Sequence, residues 1–251
     1  MSTPGRFLTA QWRHLAMLNY AIDPTALAPH VPAGTELDAW RGTTYVSVVG
    51  FMFLKTRVLG VPIPFHMNFP EVNLRFYVRR RGEPDEPHVD PDGWKRGVVF
   101  IKEIVPRAAI ALVARWIYGE AYVALPMRRE LALQGEPPRV HGRVAYAWRH
   151  RSTWHELALA VDGEPSALEP GSEAEFITEH YWGYAAGSGR TLEYRVEHPP
   201  WRVWPAHDAT LRCDVAALYG SAFAEALAGP PRSAFLAEGS EVTVHRGRPP
   251  R

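Results

Sequence analysis

The chain has 251 residues, 46% hydrophobic and 22% charged, with a formal net charge of +1. That balance suits a soluble globular protein of one large β-rich domain or two small ones, and it excludes a general electrostatic pull toward nucleic acid or anionic lipid. A single cysteine, Cys213, excludes an internal disulfide. No apolar run approaches the ~18 residues of a membrane span, and the first residues lack a signal-peptide core, so a cytoplasmic protein is expected.

In chain order, the first predicted element is a short helix in "DPTALAPHV", with Asp23 as N-cap and Pro24 at the first helical position. "TYVSVVGFMFL" (44–54) is a β-branched and aromatic strand. "EVNLRFYVRR" alternates, placing Val72, Leu74, Phe76 and Val78 on one face and Glu71, Asn73, Arg75, Tyr77 and Arg79 on the other. A Pro-rich acidic loop joins it to the strand "RGVVFIKEIVP" (96–106) as an antiparallel hairpin. A helix is expected over 106–119, between Pro106 and Gly119. An alternating run in "GEAYVALPMRRE" then ends at Pro126. Further strands are expected at 139–149, 153–161, 175–185, 190–198 and 201–206, a helix at 213–229, and a last strand in "SAFLAEGSEVTVHR". The pattern is a single α+β domain, mainly antiparallel, over 1–245, with 246–251 as a flexible tail.

Nucleophile-elbow, phosphate-loop, dinucleotide and zinc-protease motifs are absent. His150, His155 and His180 lack partners at metal-ligand spacing, and the acidic loop reads as a solvated tip, so no metal and no cofactor are expected. The clusters "YWGY" and "HPPWRVW" suit either a cavity lining or a β core. Cys213 reads as structural. Only Lys55, Lys95 and Lys102 are lysines, which confines amine chemistry to three positions.

Taken together, "FLTAQWRHLAMLNYAIDPTALAPHVPAGTELDAW", "FPEVNLRFYV", "GVVFIKEIVPR", "AIALVARWIYGEAYVALPM", "TEHYWGY" and "HPPW" resemble the YqjF-like family, bacterial proteins grouped as a domain of unknown function. That family is in turn similar to the acetoacetate decarboxylase superfamily, whose resemblance implies a barrel or double-layered sheet with a few helices. It places Arg13 where the decarboxylases keep a pocket arginine and Glu71 where they keep a glutamate. It places Met127 at the imine-forming lysine and Arg128 beside it; a second glutamate position falls near Ser47 or Val48.

A thioether cannot form an imine, so the covalent route is lost at Met127. The resemblance therefore implies a pocket around Arg13, Glu71, Met127 and Arg128 that binds an anionic small molecule, an organic or keto acid. Arg13 and Glu71 are its catalytic candidates for non-covalent acid–base work, Glu71 with a pKa raised by its apolar surroundings. Two alternatives stay open: a ligand-binding or sensing module without turnover, and a decarboxylase using Lys102, whose strand face is shared with Val98 and Phe100. The sequence points to no nucleic-acid or membrane partner and leaves the oligomeric state open.

Overall fold

A computed structural model describes residues 5–107, 121–187 and 190–250. The helix expected over 106–119 falls almost wholly outside them. In chain order the strands are β1 (Arg6–Ala21), β2 (Glu36–Leu37), β3 (Tyr45–Val58), β4 (Val61–Pro62), β5 (Phe69–Arg81), β6 (Trp94–Val105) and β7 (Tyr122–Ala124). There follow β8 (Met127–Gln134), β9 (Val140–His150), β10 (Thr153–Gly163), β11 (Trp182–Gly187), β12 (Arg190–Glu197), β13 (Val203–Arg212) and β14 (Ser233–His245). Among the described residues three short α-helices accompany them: α1 (Pro24–Leu27), α2 (Glu173–Thr178) and α3 (Val215–Tyr219).

Seven strands, in the order β1-β3-β5-β6-β11-β12-β14, close into a barrel because β14 also pairs antiparallel with β1. Closure removes the exposed sheet edges that invite aggregation. The outer edge of β14 is shared. Its end near Val244 pairs with β12 and its start near Ala237 pairs with β13. From β13 the chain of pairings runs on through β10, β9 and β8, forming a second sheet.

That second sheet covers the outer face of β1, β3 and β5, which explains why β5 is buried on both sides for its first ten residues. Val72, Leu74, Phe76 and Val78 pack outward with Tyr146 and Trp148 of β9 in one core. Met17, Val49, Phe51 and Tyr77 face inward and form the other. Tyr146 and Trp148 are fully buried, each of a class that removes ~150–250 Å² from water. The layers approach closely at Gly50 of β3, where a Cβ would lie 2.5 Å from Cδ2 of Tyr146.

Several local expectations change. The longest strand, β1, comes from "RFLTAQWRHLAMLNYA", whose Ala, Leu, Met, Gln and Arg carry no strand propensity; pairing on both sides overrides it. The strand expected over 175–185 is instead α2 followed by β11. Its cause is the N-cap Ser172, whose hydroxyl accepts from the Glu175 amide at 3.1 Å, while Glu175 accepts from Gly171 N at 2.6 Å. The helix expected over 213–229 stops as α-helix at Tyr219, because Gly220 takes φ 108°. The terminal stretch expected to be free is anchored. Arg248 forms a β-bridge with Glu193, and its guanidinium lies 3.1 Å from Glu86.

Candidate functional site

The barrel holds a cavity of about 280 Å³ whose lining runs from the 59–67 hairpin to α2. Toward the hairpin it is aromatic: Phe53 stacks on Phe69 at 4.7 Å, and Trp12 meets Phe51 edge-on at 5.4 Å. Trp201 and His198, from "HPPW", stack 4.2 Å apart in the same wall. At the other end α2 caps the barrel, with Phe176 5.3 Å from the Tyr77 ring and Thr178 on the lining.

Between these ends β5 presents a polar row. Parity along the strand sends Glu71, Asn73 and Arg75 inward, because their apolar alternates are taken by the second sheet. Asn73 Nδ2 donates to Glu71 Oε1 at 3.1 Å. Glu103, paired with Asn73 across the strands, brings a second carboxylate. Arg75 donates through Nη2 to the Ile177 carbonyl at 3.1 Å. Its Nε and the Asn73 Oδ1 are buried without hydrogen-bond partners among the described residues. Each such atom costs about 1–3 kcal/mol unless water or a ligand meets it. Burial, with Arg96 and Arg75 adding to it, holds the His180 pKa well below its ordinary value. Burial likewise lowers that of His198 to about 4. Both rings are therefore neutral near pH 7.

The four residues expected around one pocket come apart. Glu71 lines the lumen. Arg13 does not: β1 bulges after it, with His14 at φ 55°, so Trp12 and Leu15 take the inward positions and Arg13 Nη1 donates to the Gly239 carbonyl at 2.9 Å. Met127 opens β8 in the second sheet, paired with Trp148 and packed on the inter-sheet core. The reason lies at Pro126. Leu125 still bonds the Val105 carbonyl of β6, whereas the Pro126 carbonyl already accepts from Arg149 of β9. The segment offers the lumen Tyr122 instead. Arg128 is exposed, its guanidinium 4.1 Å over the Trp154 ring.

No lysine lines the cavity. Lys102 was expected to share a face with Val98 and Phe100, but a bulge at Ile101 reverses the parity: Leu74 pairs with Lys102 and Arg75 with Phe100. Glu103 takes the inward place, and Lys102 Nζ donates outside the barrel to the Leu218 carbonyl at the end of α3. Lys95 is wholly buried, 2.7 Å from Glu193 and 3.2 Å from Glu86. Lys55 is exposed. Cys213 is half-buried, and burial pushes its thiol up to about 12, as suits a structural residue. Ser47, near the expected second glutamate, donates to Asn19 Oδ1 at 2.7 Å. Among the described residues no cluster of three or more His, Cys, Asp or Glu is placed to hold a metal.

Sequence reasoning placed Asn73 and Arg75 on the same face as Glu71 without assigning them a role, and gave Glu103 none. The available signal was that Asn73 and Arg75 share a strand face with Glu71, so a pocket that takes one takes the others.

Comparison with known proteins places the fold. The family model of uncharacterized conserved proteins termed DUF2071 matches residues 9–241. The uncharacterized protein YqjF of Bacillus subtilis is 25% identical over 194 residues, 76% of this chain and 72% of its own. Among solved structures, the enduracididine biosynthesis enzyme MppR complexed with pyruvate superposes with a TM-score of 0.64 at 17% identity, covering 99% of this chain and 91% of the other. An acetoacetate decarboxylase from Legionella pneumophila gives 0.64 at 14% identity, covering 100% and 88%. An acetoacetate decarboxylase-like enzyme from Sphingomonas wittichii gives 0.63 at 13%, covering 98% and 94%. The shared feature is the acetoacetate decarboxylase-like fold.

Proposed function

The chain belongs to the DUF2071 family of uncharacterized conserved proteins, and we propose that it uses the barrel lumen to bind a small organic acid, on which Glu71 performs non-covalent acid–base chemistry. Arg75 carries the reading. It is a buried guanidinium on the cavity wall whose Nε has no acceptor among the described residues. A carboxylate is the group that a planar guanidinium fork meets best, and a charge-assisted bond there is stronger in a dry lumen than in water. Arg75 thus takes the role expected of Arg13. Asn73 Oδ1, open to a donor, suits a hydroxyl or enol on the same ligand. The MppR structure is described as complexed with pyruvate, a keto acid of this class.

The positions of Lys55, Lys95 and Lys102 favour a non-covalent mechanism, since imine formation needs an amine at the ligand. A binding role without turnover is the rival, and it is favoured by one observation: Glu71 Oε1 is already engaged by Asn73.

The test is a thermal-shift and calorimetric screen of short carboxylic and 2-oxo acids against wild type, Arg75→Gln and Glu71→Gln. Loss of a charge-assisted bond worth about 1.5–3 kcal/mol predicts affinity lower by roughly tenfold to 150-fold in Arg75→Gln. Carboxylates that bind the two proteins equally would sink the proposal. Glu71→Gln is isosteric and should keep the melting temperature while losing turnover. Ligands recovered unchanged after long incubation would leave binding alone.

A further inference from the structure

We infer that the acid taken by this lumen carries an apolar tail, an aryl group or an acyl chain of several carbons, which lies along Phe51, Phe53 and Phe69 and is covered by the hairpin of residues 59–67. The inference rests on the acid-binding reading above and concerns the other end of the same cavity.

The charged lining is confined to the deep half. Glu71, Glu103 and Arg75 are its only carboxylates and guanidinium among the described residues, and from Glu71 toward the hairpin the wall is aromatic and aliphatic, broken by Thr56, His66 and His198. From Phe69 to Arg75 is six residues of extended strand, roughly 20 Å. A three-carbon acid anchored at Arg75 spans only roughly 4 Å of this, so it leaves the apolar half filled with poorly bonded water. A tail replaces that water and gains the area-proportional stabilisation of burial.

The hairpin adds an independent observation. The described residues with large, exposed apolar side chains are Leu59, Val61, Ile63, Phe65 and Met67, all in this one segment, and Phe65 is 84% exposed. Ile63 and His66 belong both to the hairpin and to the cavity lining. Clustered exposed apolar side chains mark a binding surface, and here they surround the opening of an apolar channel. Between Lys55 and Glu71 the hairpin and its flanks carry Arg57 as their one ionised side chain, so nothing charged need be desolvated when Ile63 and Phe65 fold onto a tail.

Calorimetry on the intact chain tests this with pyruvate, 2-oxobutyrate, 2-oxohexanoate, 2-oxooctanoate and phenylpyruvate. Affinity should rise about fourfold per buried methylene, with phenylpyruvate at least tenfold tighter than pyruvate. The double variant Phe65→Ser/Met67→Ser, altered at exposed positions outside the cavity lining, should weaken the octanoate and phenyl analogues and leave pyruvate unchanged. Pyruvate binding as tightly as phenylpyruvate, with both lost in Arg75→Gln, overturns the tail while the acid site stands. No acid binding at all overturns the acid-binding reading itself. A double variant that dissociates an oligomer and leaves long-acid affinity untouched makes the hairpin a contact between copies and overturns its role as cover.

Discussion

Replacing Gly50 by alanine drives a methyl group into the ring that joins the two layers. The new Cβ would stand 2.5 Å from Cδ2, 2.9 Å from Cγ and 3.2 Å from Cβ of Tyr146. Tyr146 cannot retreat, being fully buried with its hydroxyl donating to the His14 carbonyl at 2.9 Å. Gly50 has an ordinary φ, so the cost is steric alone, and overpacking of this kind costs about 1–3 kcal/mol. At ~2–4 °C per kcal/mol for a chain of this size, the melting temperature should fall by roughly 2–12 °C. Calorimetric melting of the wild type, Gly50→Ala, Tyr146→Leu and the double variant closes a cycle. On the Tyr146→Leu background the alanine should cost under about 0.5 kcal/mol, since the clashing ring is gone. Equal costs on both backgrounds would refute the close approach, and with it the second sheet's role in turning Glu71, Asn73 and Arg75 inward.

The buried His180 and the partly buried His198 set a pH dependence. The pKa values of His180 and His198 are depressed in the folded state, so the unfolded chain takes up the protons first and stability falls as pH drops below the unfolded value of about 6.5, the His198 contribution levelling off near 4. Melting temperature should decline from pH 7.5 to 5 and less so in His198→Gln; an identical decline in that variant argues against a buried neutral ring. Lys95→Met leaves Glu193 and Glu86 facing only Arg80 and Arg248, and should lose about 3–5 kcal/mol in urea unfolding. A loss below about 1 kcal/mol would mean that the arginines suffice. Lys102→Met should leave acid binding unchanged, and borohydride with pyruvate should label no lysine. A mass adduct on Lys102 would restore an imine mechanism.

Much of the fold was legible because period-2 alternation and turn residues report local geometry. The β5–β6 hairpin, β9 and β10 of the second sheet and the short N-terminal helix all carry such signals, whereas β8 was not expected. Where tertiary pairing overrode weak propensity, as in β1, they failed. Of the cavity lining, Glu71 and the aromatic clusters that supply Trp182, His198 and Trp201 were legible. For Arg13 and Lys102 the obstacle was the same: a single extra residue in a strand reverses which side chains face inward, and nothing local to either residue announces the bulge. Met127 misled for another reason. It follows a strand-ending proline, and whether the chain then stays with the barrel or crosses to a second sheet depends on hydrogen bonds to Val105 and Arg149.

From the residues themselves came the β-rich architecture and the scarcity of amines, because these are properties of composition and of the nearest few neighbours; Glu71 came from the family resemblance. Only the closed barrel decided that the polar face of β5 is its interior and that Arg75 faces the lumen. It also decided that all three lysines stand outside. The inward side of a strand depends on what covers the opposite side, and that cover is a sheet built from residues more than fifty positions away.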